Sequence, residues 1–333
     1  MSKGLVTLVG GSGFVGRYAA RAFVSAGYRV RVACRRPHIA GDVRLAGPPG
    51  WVDLVQANVR DLPSLKRACE GADIVVNLVG ILTEHGKQTF PYAQSRGAKN
   101  VAEAAKACGV ERFIQVSAIG ADADSRSEYA RSKAGGETAV REIYPDAVIL
   151  RPSIVFGPED GFFNRFAALA TSPAMSVLPF LPAMGGGKTR FQPIYAGDVA
   201  DAIVAAAQHA DAPGKTFELG GPQTYSFNEL YDFIFKTIDV RRFKLPLPFF
   251  AAKPMGLAFG TAFRWIAPLR WVLGEPPITG GQVEMLKRDN VVAPGALTLA
   301  DLGVTELESI EAIVPTYLWR FRDYGQFHEK TEA

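Results

Sequence analysis

Tyr129 and Lys133 stand four residues apart in SEYARSK, residues 127–133. On a helix that spacing puts both side chains on one face. An ammonium beside a phenol favours the phenolate and lowers the phenol's pKa. Such a tyrosine can act as general acid or base on a carbonyl or an alcohol. Ser117 follows the apolar run RFIQV, residues 112–116. From the end of a strand it can give a substrate oxygen a second hydrogen bond. The same residues also suit a bland reading, in which Tyr129 packs beside Lys133 and nothing turns over.

Proton chemistry of this kind is commonly coupled to a hydride carrier, and the chain opens on a place for one. Gly10, Gly13 and Gly16 lie in LVGGSGFVGR, residues 8–17. The apolar run Leu5–Val9 before them reads as a buried strand. Phe14 and Val15 lead into a stretch with Ala19, Ala22 and Phe23 on one helical face. A glycine-rich turn between strand and helix lets backbone approach a pyrophosphate, and the helix N-terminus offers it N–H groups. Dinucleotide folds that hold NAD place an acid at the end of the second strand, to bind the ribose hydroxyls. Here that place reads Cys34-Arg35-Arg36. Two guanidinium groups suit a 2′-phosphate, so NADPH is expected over NADH. Asn58 is expected at an adenine edge and Asp61 at a helix cap. Leu78, Val79 and Gly80 are expected to form an apolar wall for the cofactor.

The elements that must position these residues alternate. Strands are read at YRVRVACRR, WVDLVQANV, ADIVVNLVG, RFIQVSAIG and DAVILRPS, and helices fall between them. Such alternation implies a doubly wound parallel sheet of Rossmann type, an α/β fold. Residues 1–155 are expected to form the NADP-binding domain. The rhythm then breaks. Residues 156–333 are expected to form a smaller α/β subdomain interleaved with the first, carrying a membrane- or partner-facing segment at 240–290. SFNELYDFIFKTI reads as a helix capped by Ser226.

The chain has 333 residues, 48% hydrophobic and 21% charged, enough for a packed core. Cys34, Cys69 and Cys108 are widely spaced and odd in number, which argues against a disulfide framework. The four histidines have no ligand spacing, and no metal is expected. The net charge of +4 is modest, and the stretch from 240 to 274 has no acidic residue. Arg241, Arg242, Lys244, Lys253, Arg264 and Arg270 fall in it, among Phe249, Phe250, Phe259, Phe263, Trp265 and Trp271. A nucleic-acid face would spread its basic residues more broadly. Prolines and charges leave no run near the ~20 apolar residues of a spanning helix. Composition leaves two readings, an interfacial segment on anionic headgroups or the lining of a core.

These motifs together resemble the short-chain dehydrogenase/reductase superfamily, of the extended or atypical sort. The residues that carry the resemblance are Gly10, Gly13, Gly16, Ser117, Tyr129 and Lys133, with Arg151–Asp160 and Gln192–Ile203. The resemblance implies that Lys133 holds the nicotinamide ribose, with Pro152, Ser153 and Ile154 near the nicotinamide. Related enzymes often carry an asparagine where this chain reads Gln94-Ser95-Arg96-Gly97. Asn77–Glu84, Gly274–Val292 and Thr298–Arg322 are similar to one branch of the superfamily, the nucleotide-binding accessory subunits of respiratory complex I. That resemblance implies a structural NADPH, other complex I subunits as partners, and a peripheral place at an anionic membrane surface. The short N-terminus without an Arg-rich leader points to a bacterial form, on the cytoplasmic face of the inner membrane. The competing function class is a soluble NADP-dependent reductase or epimerase acting on a small carbonyl or sugar-like substrate.

Overall fold

The computed structural model describes residues 2–84, 86, 88–172, 180–250, 280–323 and 325. The backbone forms two compact units. The first comprises Met1–Val155, Ile194–Gly220 and Val292–Leu307. Its elements follow the sequence pattern: β1 (Leu5–Val9), α1 (Phe14–Ser25), β2 (Arg29–Cys34), β3 (Val52–Gln56), α2 (Leu62–Cys69), β4 (Ile74–Asn77), α3 (Arg96–Ala107), β5 (Arg112–Val116), α4 (Glu128–Ile143) and β6 (Val148–Pro152). With the strand Thr216–Leu219 they make one seven-stranded sheet. The order across it is Thr216–Leu219, β6, β5, β4, β1, β2, β3, and all the pairings are parallel.

Both faces of this sheet are covered, so its strands are apolar on both sides. Alternate residues supply two cores. Val6, Leu8, Val30, Val32, Val76, Ile114 and Leu150 join Phe23 of α1 and Ile203 of the helix Ala196–Gln208 on one face. Val9, Val75, Phe113 and Ile149 join Leu65 of α2 and Val101 of α3 on the other. Alanines at 98, 102, 104 and 105 keep α3 slim where it packs. A parallel sheet sends every strand the same way, so the C-terminal ends of β1 to β6 share one edge. The order in which strands are added switches sides between β1 and β4, which is where open sheets of this kind form a ligand crevice. This is the doubly wound α/β fold expected from the alternation.

The second unit comprises Phe156–Pro193, Gly221–Val291 and Glu308–Ala333. An aromatic cluster of Phe162, Phe163, Phe166, Phe191, Phe227 and Tyr231 fills it, with ring centroids 4.6–6.2 Å apart. The helix Phe227–Thr237 starts at a full capping box. Ser226 Oγ accepts from Glu229 N at 3.2 Å, and Ser226 N donates to the Glu229 carboxylate at 2.6 Å. The strands Phe180–Met184 and Phe243–Leu247 pair in parallel. Lys253, Phe259, Phe263, Arg264, Trp265, Arg270 and Trp271 lie outside the described residues.

One buried carboxylate organises the turn at 157–164. Asp160 accepts from the N–H groups of Gly157, Phe162 and Asn164 at 2.9–3.3 Å, and from the Tyr317 hydroxyl. Burial pushes its pKa above the usual carboxylate value, against these four donors. Tyr317→Phe removes one donor and leaves the buried carboxylate short. The expected loss is about 1–3 kcal/mol, to be read from urea denaturation. An unchanged midpoint would show that the hydroxyl contributes nothing.

Candidate functional site

The glycine turn is built for close approach. Gly10 has φ +85, and its N–H donates to Ala33 O at 2.9 Å, which ties β1 to β2. A side chain there would be strained, and its Cβ would stand 3.0 Å from the Val79 side chain. A Cβ on Gly16 would lie 2.5 Å from the Gly11 Cα, so α1 runs against the turn that precedes it. Gly13 caps α1 in an extended conformation, no side chain caps that end, and its first turn has no acid. This is a cradle of backbone N–H groups at a positive dipole end, which suits a pyrophosphate.

Arg35 and Arg36 follow β2 and are exposed. Asp42, further along, is taken by Arg17 at 2.7 Å. The end of β2 therefore presents cations and no carboxylate. Asn58 follows β3, where its side-chain oxygen accepts from Arg60 N at 3.1 Å and closes a turn. Its side-chain NH₂ is the part suited to a ligand acceptor. Asp61 stands at the α2 N-cap position, but its side chain makes no capping bond. Instead the Ser64 hydroxyl donates to Asp61 O at 2.7 Å, and Asn58 N donates to Ser64 Oγ at 3.0 Å. The expected aspartate cap is replaced by a serine inside the helix.

Leu78, Val79 and Gly80 follow β4. A buried pair positions them: Asn77 Nδ2 donates to Gln115 Oε1 at 2.8 Å, and Val79 N donates to Asn77 Oδ1 at 3.2 Å. Lys133 reaches this wall from α4. Its Nζ lies 3.5 Å from Val116 O at the end of β5, and a Cβ on Gly80 would stand 3.2 Å from it. Burial lowers the Lys133 pKa from 10.5 to about 8, and Glu137 opposes that shift. Glu137 is in turn gripped by Arg151 of β6 at 2.9 and 2.6 Å. Arg151 also lies 3.7 Å from Glu218.

Tyr129 and Lys133 do share a face of α4, with Nζ over the phenol ring at 6.0 Å from its centroid. The phenol is not acidified, however. Burial pushes it up to about 12. The ammonium stands over the ring rather than at the hydroxyl, and desolvation of the phenolate sets the direction. Tyr129 is therefore a neutral donor at pH 7, fit to act as an acid rather than as a standing base. Ser117 lies at the end of β5, buried, and its Oγ has no hydrogen-bond partner among the described residues. Pro152, Ser153 and Ile154 follow or close β6, where Ser153 N donates to Leu219 O at 2.9 Å.

Two parts of the site escape sequence reasoning. Ser127, at the N-cap of α4, makes no capping bond, and its buried Oγ also lacks a partner among the described residues. An orphaned hydroxyl costs about 1–3 kcal/mol, so the β5–α4 loop begins and ends on groups that a ligand or water would satisfy. Gln94, standing where relatives often have asparagine, is buried. Its Nε2 donates to Ile81 O at 2.7 Å, and its Oε1 accepts from Ser132 at 2.6 Å. The longer amide links the loop after β4 to α4 beside Lys133. No group of metal-ligand side chains occurs among the described residues.

The charge on Lys133 has a measurable sign. Between pH 8 and 10.5 the folded chain has released a proton that the unfolded chain still holds. Stability from this group therefore rises with pH across that window, and the burial penalty is full below it. Ligand-free Lys133→Met is expected to be more stable than wild type at pH 7, with the advantage shrinking towards pH 10.5. Chemical denaturation at several pH values checks this, and a gap that widens with pH would overturn it.

The geometry can be set beside known proteins. The NAD dependent epimerase/dehydratase family matches residues 6–220. NADH dehydrogenase (ubiquinone) 1 alpha subcomplex subunit 9, mitochondrial, of Mus musculus is 34% identical over 322 residues, 95% of this chain and 81% of that one. The mitochondrial NADH-ubiquinone oxidoreductase 40 kDa subunit of Neurospora crassa is 28% identical over 96% of this chain and 80% of its own. Among solved structures, dTDP-glucose 4,6-dehydratase of Streptomyces venezuelae with NAD and TYD bound superposes with a TM-score of 0.68 at 17% identity. That likeness covers 95% of this chain and 96% of the other, and it shows a shared fold.

Proposed function

The chain belongs to the NAD dependent epimerase/dehydratase family, and from that premise we propose that it is an accessory subunit of respiratory complex I holding NADPH as a structural cofactor. One observation carries this reading. The family match ends at residue 220, whereas the likeness to the Mus musculus subunit takes in 95% of the chain. The part beyond the dinucleotide fold therefore also resembles that subunit.

The site supports a dinucleotide in detail. In this reading Gly10, Gly13, Phe14, Val15 and Gly16 cradle the pyrophosphate. Arg35 and Arg36 take the 2′-phosphate, and Asn58 takes the adenine edge. Leu78, Val79 and Gly80 line one side, Lys133 and Tyr129 hold the nicotinamide ribose, and Pro152 and Ile154 flank the ring. Bound nicotinamide supplies a hydride. In a soluble reductase that hydride would go to a carbonyl carbon, while Ser117 and Tyr129 would bind the carbonyl oxygen, Tyr129 giving it the proton beside Lys133.

The membrane-surface part of the reading rests on the second unit. Phe243, Leu245 and Phe250 are 74%, 46% and 82% exposed, beside Arg241 and Arg242. Lys244 is already paired with Asp232 at 2.6 Å, so it adds little to an anionic surface. No helix among the described residues is long and apolar enough to cross a membrane. We place the protein peripherally, at the cytoplasmic face of a bacterial inner membrane.

Isolation of complex I from native membranes tests the proposal. The chain is expected in the purified complex, with reduced NADPH that persists in the presence of simple ketones. A chain absent from the complex, whose NADPH is oxidised by a carbonyl compound in wild type and not in Tyr129→Phe, would establish the reductase instead.

A further inference from the structure

The strands β4 and β5 end side by side on a pair of amides. Asn77 stands opposite Gln115 in the parallel register, and both are buried. Their neighbours along the two strands, Val75, Val76, Phe113 and Ile114, are apolar and buried too. An amide in such surroundings costs free energy unless its polar atoms are bonded. An aliphatic pair would fill the same place without that cost. What the two amides bond therefore explains why they are there.

Their bonds fall at the edge where the strands end. Leu78 N still pairs with Val9 O of β1 at 2.9 Å. The next nitrogen, Val79 N, has left the sheet and donates to Asn77 Oδ1 at 3.2 Å. A Cβ on Gly10 would stand 3.3 Å from that same nitrogen, so it lies against the glycine turn. Asn77 Nδ2 donates to Gln115 Oε1 at 2.8 Å, and Gln115 Nε2 donates to Val116 O at 3.0 Å. Lys133 Nζ donates to the same Val116 O, at 3.5 Å. One chain of bonds thus runs from Val79, beside the glycine turn, through two side chains to the Lys133 ammonium. A carbonyl oxygen has two lone pairs and an ammonium three donors. Gln115 takes one lone pair of Val116 O and leaves the other to Lys133. Lys133 spends one N–H there and keeps two for a ligand. Satisfied bonds in a low-dielectric interior specify one arrangement of the groups they join.

We propose that Asn77 and Gln115 are positioning residues of the dinucleotide site, locking Lys133 to the β4 wall so that its ammonium meets the ribose at the nicotinamide end. The inference rests on the reading that this crevice holds NADPH, and it gives a role to two residues that act through Val116 O and Lys133.

The test compares the full chain with Asn77→Leu/Gln115→Met, in which both amides go together and neither is left without its partner. Exchanging both members of a bonded pair for apolar groups of similar shape can be nearly neutral for stability, so a urea midpoint close to that of wild type is expected. Two ligands are titrated calorimetrically: NADPH, and adenosine 2′,5′-bisphosphate, which lacks the nicotinamide end. NADPH is expected to bind the double variant roughly tenfold more weakly, as for the loss of about one hydrogen bond to a charged group. The bisphosphate is expected to bind both proteins equally. In a Lys133→Met background the effect of the pair on NADPH is expected to disappear, because it travels through that ammonium. Gln115→Met alone, which leaves Asn77 bonded to Val79, is the second variant, and the same pattern is expected of it. Unchanged NADPH affinity in both variants, an equal loss for the two ligands, or an undiminished loss in the Lys133→Met background overturns the proposal. A wild type that takes up neither ligand refutes the dinucleotide reading, and the positioning role falls with it. A wild type that binds both ligands, with variants no weaker, refutes the positioning role alone.

Discussion

Replacing both Arg35 and Arg36 with alanine is expected to lower the affinity for NADPH by roughly a hundredfold or more, and to leave the affinity for NADH nearly unchanged. A hydrogen bond to a charged group contributes about 1.5–3 kcal/mol, and about 1.4 kcal/mol is tenfold in affinity. Removing one such bond at each arginine gives the stated fall. The guanidinium groups are exposed at the end of β2, so salt trims the Coulomb part. The paired geometry of a guanidinium on a phosphate is trimmed less. Asp42 is held by Arg17, so the double variant does not uncover an acid in the place that NAD binders use. Calorimetric titration of both nucleotides against both proteins decides the matter. Equal affinities for NADPH and NADH in the wild type would sink the assignment of these arginines.

Glu137→Ala is expected to be among the most damaging single changes in the chain, costing about 3–5 kcal/mol, as breaking a buried ion pair does when one charge remains. Glu137 is 7% exposed and accepts two short bonds from Arg151. Without it Arg151 keeps, among the described residues, Glu218 at 3.7 Å, which pulls the cost towards the lower end of that range. Lys133 loses a carboxylate that favours its charged form, which pushes the cost up at neutral pH. Glu137→Gln keeps an acceptor and the shape, and should cost less. Urea denaturation of the three proteins reads both effects, and wild-type stability in Glu137→Ala would refute the account. The same carboxylate thus anchors α4 to β6 and keeps an ammonium charged beside Gly80.

Much of the fold was legible because it is local. The apolar runs at Leu5–Val9 and Ile74–Asn77, the glycines between β1 and α1, and the Ser226–Glu229 capping box each depend on residues a few positions apart. Period and turn chemistry carry that information. The strand ends that hold Gly10, Arg35, Leu78, Ser117 and Pro152 follow from the same alternation, since a parallel sheet sends them to one edge. The resemblance to complex I subunits also rested on sequence alone.

What only tertiary structure decided involves burial and partners distant in the chain. Spacing placed Tyr129 beside Lys133 and suggested an acidified phenol. Burial, which no spacing reports, raised the phenol to about 12 and lowered the lysine to about 8. Asp61 looked like a cap, but Ser64 formed the bonds at that turn. Ser127 stands at the N-cap position of α4, yet its hydroxyl is left unpaired among the described residues. Asn100 ties α3 to Val59, 41 residues away. A local pattern fixes which element forms. The free energy of a charge or a hydroxyl depends on the solvent removed from it and the partners supplied, and both are set by packing across the whole unit.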